Sequence, residues 1–306
     1  MNLKKINQHL ENYPQSLLHH FIFPPNLILR YFNHLNRVKK YSKTTSLKSI
    51  PFRKLRKYKQ RNTLFILGSG SSINNISEYQ WNVIENKDSV GFNFWLIHDF
   101  VPTYYVAEIK GEENRMTIFY QNLINKIRHY TNIPFIFKYR EALSLKDFSI
   151  ISKLNYVFLA PTIRIPGVNK KAFSKWILLL DLIRFFSKNN NNGFIPFKQA
   201  SVSWLIIFAL KLGYKNIVLC GIDLNNTDYF FEQNKAYYFK KNILIPPSGQ
   251  DGKIHMTNDP DHCYGELIIK DVIDVLYRKL LRRKNINLYV GSPSSALYPD
   301  IPLYDW

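Results

Sequence analysis

An apolar run, Leu64-Phe65-Ile66-Leu67, ends abruptly in Gly68-Ser69-Gly70-Ser71-Ser72. A short apolar run closed by glycine reads as a buried strand. Glycines after such a strand let a backbone approach a ligand closely, and the hydroxyl and N–H groups beside them suit phosphate. The turn therefore points to a nucleotide or sugar-nucleotide site at the carboxyl end of a first parallel strand. An ordinary tight turn is the competing reading. The dinucleotide-binding fingerprint does not apply, because it needs a third glycine where this chain has Ile73.

The rest of the chain continues in the same style. Val90–Phe94 reads as a second strand carrying Asn93, and Pro102–Ala107 as a third ending at Glu108. Arg115–Tyr130 and Ala172–Lys188 have helical spacing, with short strands expected at Ile133–Phe137 and Tyr156–Leu159. Ser201 is placed to cap a helix running to Leu212, with Gly213 at its end. The strand Asn216–Cys220 follows and stops at Gly221-Ile222-Asp223. A last long helix is expected at Glu266–Arg283, its basic end complementing the helix dipole, and a last strand at Asn287–Val290. Helices that deliver the chain to strands ending in Gly and Asp make a parallel α/β sheet with its site at the strand ends.

Composition narrows the class. With 46% hydrophobic residues over 306 positions, global disorder is excluded. No apolar run approaches the roughly 18 residues that span a bilayer, and the start of the chain lacks the order of a signal peptide. Two cysteines, Cys220 and Cys263, give neither a disulfide framework nor a metal pattern, and a reducing cytoplasm fits them. Residues 1–61 hold 14 Lys or Arg against one acid, Glu11, and so carry +13 of the net +20. Six of those bases fall between Arg53 and Arg61. Apolar and aromatic residues from Leu17 to Phe32 precede them. That mixture suits an anionic membrane surface, and it also suits nucleic acid. A basic arm folded on the core is the third reading. The expectation is membrane, not nucleic acid, with residues 1–61 as a basic, partly helical extension broken at Pro24-Pro25. Residues 62–306 are expected to form the catalytic domain.

Four segments in order carry a resemblance. Gly68-Ser69-Gly70-Ser71-Ser72-Ile73 is similar to the Gly-Asn-Gly-Pro-Ser-Leu loop of the bacterial lipooligosaccharide sialyltransferases, glycosyltransferase family 42. Gly91-Phe92-Asn93-Phe94-Trp95 resembles their Arg-Cys-Asn-Gln-Phe. Leu212-Gly213-Tyr214-Lys215-Asn216-Ile217, then Gly221-Ile222-Asp223, resembles their Leu-Gly-Tyr-Lys-Glu-Ile and Gly-Ile-Asp. Leu288-Tyr289 with Pro293-Ser294-Ser295-Ala296-Leu297 resembles their Leu-Tyr and Cys-Pro-Asn-Ser-Leu-Leu. The resemblance implies a Rossmann-like parallel sheet with flanking helices (a GT-A-like single nucleotide-binding domain). It also implies a CMP-sugar donor, a glycan or glycolipid acceptor at the inner face of the cell membrane, and inverting transfer without metal or other cofactor. A homo-oligomer is compatible with it.

Carried over by position, Gly68, Gly70, Ser71 and Ser72 would lie near the donor phosphate, and Asn93 would contact the donor. Lys198 stands where the family has an arginine, and charge without a bidentate fork suits a carboxylate less well. Ser201 matches a family serine, and Tyr229 a family tyrosine after a two-residue gap. Asp223 at its strand end is placed to orient a ribose or a base, with a turn role as the alternative. The general base is His255, which keeps the family's His-x-x-Asn spacing, or His262, which is nearer the following helix. Asp259-Pro260-Asp261 is a rival signal, because Asp-x-Asp holds a divalent metal on a nucleotide diphosphate in other glycosyltransferases. A basic membrane-binding module, in which the loops are only turns, is the reading from another class.

Overall fold

Thr63–Leu67 is a strand buried at every position. Its side chains alternate between two apolar cores, Leu64 and Ile66 in one, Phe65 and Leu67 in the other. Period-two alternation between two buried faces means helices cover both sides of the sheet. The structure, a computed structural model, describes residues 32–33, 36, 48–49, 51–108, 113–139, 149–188, 194–240, 242–247, 254–263 and 267–306. The apolar stretch expected from Leu17 therefore lies almost wholly outside the described residues.

In chain order the strands are β1 (Lys48–Ser49), β2 (Thr63–Leu67), β3 (Asp88–Phe92), β4 (Tyr104–Ala107), β5 (Phe135–Tyr139), β6 (Val157–Arg164), β7 (Ile195–Phe197), β8 (Asn216–Cys220) and β9 (Asn287–Val290). They form one sheet in the order β1-β6-β5-β4-β3-β2-β8-β9, with β7 paired to β6. All these pairings are parallel. The chain builds away from β2 through β3, β4, β5 and β6, then returns to lay β8 on the other side of β2. The connections leaving β2 and β8 thus diverge, and a crevice opens at their carboxyl ends. This is the expected α/β, Rossmann-like architecture.

The helices are α1 (Phe52–Leu55), α2 (Glu78–Glu85), α3 (Glu113–Tyr130), α4 (Lys170–Leu182), α5 (Ser201–Leu212), α6 (Phe230–Gln233) and α7 (Ile269–Leu276). α5 is buried from Val202 to Leu212 because it packs on β2, β7 and α7 at once. It ends at Gly213 with φ +85, a left-handed turn that glycine adopts without steric cost.

Several local expectations change. Ser201 does not cap α5. The N-cap is Ala200, and Ser201 is the first helical residue with its hydroxyl donated elsewhere. α4 stops at Leu182, short of Lys188. The last helix is α7 followed by a π-helical turn, Tyr277–Leu281, and a 3-10 turn, Arg282–Lys284. β7 has three residues, too few to show a period.

The part of the basic stretch that is described continuously, residues 51–61, is packed structure. Phe52 and Leu55 are fully buried in the core around α5. Arg56 donates to the Lys211 carbonyl at 3.4 Å and Lys59 to the Gly213 carbonyl at 2.9 Å, so two of the clustered cations cap the C-terminus of α5. The backbone N–H groups of Gln60 and Arg61 both donate to the Asp88 carboxylate. No helix among the described residues is long and apolar enough to cross a membrane.

Candidate active site

The carboxyl ends of β2, β3, β4 and β8 converge on a cavity of about 320 Å³. Of the residues singled out in sequence, Gly70, Asn93, Ser201, Asp223, Tyr229 and His255 line it. Residues 185 positions apart in the chain (70 and 255) thus meet because the sheet reverses direction at β2. Gly68, Ser71, Ser72, Lys198 and His262 are not among the lining residues.

The glycine-serine loop is first of all a clasp between β2 and β8. Gly68 N–H donates to the Cys220 carbonyl at 2.8 Å and Gly70 N–H to the Gly221 carbonyl at 2.9 Å. Ser72 donates its N–H to Asp223 Oδ2 at 3.0 Å and its hydroxyl to Oδ1 at 2.6 Å. Asp223 therefore uses both carboxylate oxygens on the neighbouring loop, and the Ser72 hydroxyl points at protein. Ser71 opens a 3-10 turn, Ser71–Asn75. A Cβ on Gly70 would stand 2.5 Å from Asp223 Oδ2 and 2.8 Å from the Gly221 carbonyl oxygen. Gly70→Val should accordingly lower stability by about 1–3 kcal/mol, as overpacking does, whereas Ser69→Ala beside it should not. Urea denaturation of both variants checks this, and an unchanged midpoint for Gly70→Val would contradict the clasp.

Four of the lining residues hold left-handed backbone: Asn93 (φ +53), Gln199 (φ +62), Gly221 (φ +65) and Leu224 (φ +64). Asparagine and glycine take this region readily, but leucine and glutamine do not. Such residues cost about 1–3 kcal/mol each and gather where a site dictates the backbone.

His255 precedes a 3-10 turn, Met256–Asn258. Asn258 anchors that turn. Its Nδ2 donates to the Leu224 carbonyl at 3.3 Å, and its Oδ1 accepts from Lys270 N–H at the start of α7. The His-x-x-Asn spacing thus joins an imidazole to the residue that fixes its loop. His255 Nδ1 lies 2.9 Å from Thr257 Oγ1 and 3.3 Å from Thr257 N. Burial pushes the imidazole below its ordinary value of 6.5, and nearby His262 adds to the lowering. Both effects favour the neutral imidazole.

Tyr229 is the N-cap of α6, bridged to Gly70 and stacked on Phe231 at 5.2 Å. Lys198 is buried behind the start of α5, with its backbone exchanging hydrogen bonds with Ser203. His262 and Asp261 are exposed. Asp259 Oδ1 accepts from Asp261 N–H at 2.9 Å, which makes Asp-Pro-Asp a local turn. Among the described residues no group of three His, Cys, Asp or Glu side chains could hold a metal ion.

Glu108, Lys138 and Thr257 escaped sequence reasoning. Glu108 and Thr257 line the cavity, and buried Lys138 lies behind Glu108, its ammonium paired with that carboxylate and 4.8 Å from the centre of the Phe197 ring. The signal for Glu108 was its place at a strand end. Lys138 has none, since a lysine inside a strand reads as a solvated edge. Arg115 also lines the cavity. Its guanidinium lies 5.0 Å from the centre of the Phe94 ring and donates to the Pro247 carbonyl at 3.2 Å.

No protein-family profile matches the chain, and no curated protein matches it in sequence. Among solved structures it is similar to the monofunctional alpha-2,3-sialyltransferase Cst-I from Campylobacter jejuni, over 79% of this chain and 80% of that one, at 17% identity and a TM-score of 0.41.

Proposed function

We propose that this protein is a glycosyltransferase that moves a sugar from a CMP-activated donor, sialic acid or a related 2-keto acid sugar, to a surface glycan, with inversion. The observation that carries the reading is a convergence. Gly70, Asn93, Ser201, Tyr229 and His255, each matched separately to a sialyltransferase segment, line one cavity at the switch point of a parallel sheet.

His255 is the general base. Thr257 Oγ1, 2.9 Å from Nδ1, can accept the Nδ1 proton in place of the longer 3.3 Å contact that Nδ1 accepts from the Thr257 N–H, and in that tautomer the Nε2 lone pair is available to the acceptor hydroxyl. That hydroxyl loses its proton to Nε2 and its oxygen bonds to the anomeric carbon. The bond from that carbon to the donor phosphate breaks, and CMP leaves. Charge then grows on the phosphate, where the Tyr229 hydroxyl stabilises it more strongly than in the ground state. Ser71 and Ser72 support this function through the loop, the Ser72 hydroxyl being held by Asp223.

The acceptor is a glycan or glycolipid at the inner face of the membrane, and the basic residues before 62 contribute attraction to anionic lipid. Calorimetric titration with CMP and UDP, each with and without Mn²⁺, tests the donor. CMP is expected to bind equally well with Mn²⁺ or with EDTA. Tight UDP binding that requires Mn²⁺ would replace this reading with a metal-dependent diphosphonucleotide enzyme.

A further inference from the structure

Glu108, at the end of β4, ties two polar residues of the cavity together. Its carboxylate Oε2 accepts from the Ser201 hydroxyl and from the Lys138 ammonium. Its backbone N–H donates to Asn93 Oδ1 at 2.8 Å. Lys138 also donates to Ser201 Oγ at 3.3 Å.

These bonds fix direction. An ionised carboxylate only accepts, so the Ser201 hydrogen is committed to Glu108, and Ser201 Oγ meets a ligand as an acceptor. The Asn93 oxygen is committed to the Glu108 N–H, so Asn93 meets a ligand through its Nδ2 donors. The floor of the cavity thus offers one acceptor beside one donor, with the Glu108–Lys138 ion pair behind the acceptor. A phosphate or a carboxylate brings acceptors only and finds no hydrogen to accept at Ser201. A pair of neighbouring sugar hydroxyls brings both a donor and an acceptor.

We infer that the floor at Glu108 takes a hydroxyl pair of a sugar ring, and that Glu108, held in place by Lys138, is the positioning residue that sets this selectivity. The inference rests on the nucleotide-sugar reading above. The hydroxyls belong either to the ribose of the nucleotide or to the transferred sugar, and the anionic groups of the donor lie elsewhere in the cavity.

Glu108→Gln tests it, because it removes the carboxylate charge that Ser201 and Lys138 share at Oε2: an amide oxygen there is a weaker acceptor for the Ser201 hydrogen, and an amide nitrogen there donates to Ser201 and frees it. Calorimetry on the full chain compares CMP, 2′-deoxy-CMP, 3′-deoxy-CMP and the unreactive CMP-3-fluorosialic acid. If ribose is the occupant, wild type binds CMP roughly tenfold more tightly than a deoxy form, the worth of one good hydrogen bond. If the transferred sugar is the occupant, the deoxy forms bind like CMP, and CMP-3-fluorosialic acid binds roughly tenfold more tightly than CMP. In either case Glu108→Gln and Ser201→Ala reduce that ratio to about twofold or less. Should Glu108→Gln fail to fold, the double variant Glu108→Gln/Lys138→Met removes the buried pair together. Absence of both ratios in wild type overturns the inference, and so does a ratio that survives in both variants. A Glu108→Gln protein that binds all four ligands more weakly by one common factor has a structural glutamate only, which also overturns it. Failure of wild type to bind any of the four would sink the nucleotide reading itself.

Discussion

His255→Ala is expected to lower the rate of transfer by roughly 10²–10⁴ while donor binding survives, the usual loss when a positioned general base is removed. Thr257→Ala should lower the rate less, since it frees the Nδ1 partner and leaves the ring. Burial and the His262 charge both lower the His255 pKa, so the competent neutral form persists below pH 6.5. The acid limb of kcat/KM is therefore expected below the ordinary histidine value, with activity lost as pH falls through the lowered pKa. Removing the His262 charge relieves part of that lowering. His262→Ala should retain the rate and move the acid limb upward. If His262→Ala loses the rate and His255→Ala keeps it, the base is the exposed histidine and this assignment fails.

What could be read before the fold was known divides along physical lines. β2 and β8 were legible because a strand buried on both faces is a continuous apolar run with turn residues at its end. The place of the site was legible because, in such a sheet, strand-end loops are where a ligand meets backbone. The direction of individual side chains was not. Ser72 was read as facing a phosphate, yet its hydroxyl and N–H both go to Asp223, a partner 151 residues away that no local pattern reveals. The Glu108–Lys138–Ser201 cluster was hidden for the same reason, since its members come from three different elements. Leu224 in the left-handed region has no signature at all, because leucine is the wrong residue for it and only the surrounding structure holds it there.

Phe52→Ala should cost about 3–5 kcal/mol, the usual range for deleting a buried aromatic side chain. Charge together with the apolar and aromatic residues from Leu17 to Phe32 suggests a solvated or membrane-seeking arm over residues 1–61, but its later part is pinned from three sides. Phe52 is fully buried with its ring 6.2 Å from that of Phe208, and the ammonium of buried Lys211 lies 4.9 Å from the Phe52 ring centre. Burial, with nearby Arg56, pulls the Lys211 pKa down to about 7, and the face of Phe52 is one of the groups that offset the desolvation of that charge. The Leu55 carbonyl accepts from the Tyr104 hydroxyl at 3.2 Å, and Asp88 holds Gln60, Arg61 and Tyr214 together. A chain begun at residue 62 would expose one side of α5, the most buried helix, and lose the cations that cap its last carbonyls. Such a chain is expected to be insoluble, and Phe52→Ala to melt roughly 5–8 °C lower than wild type. A chain begun at residue 48 keeps these contacts and should melt near the full-length protein. Equal melting temperatures for the chains begun at 62 and at 48 would mean that the packing of Phe52 and Leu55 contributes nothing.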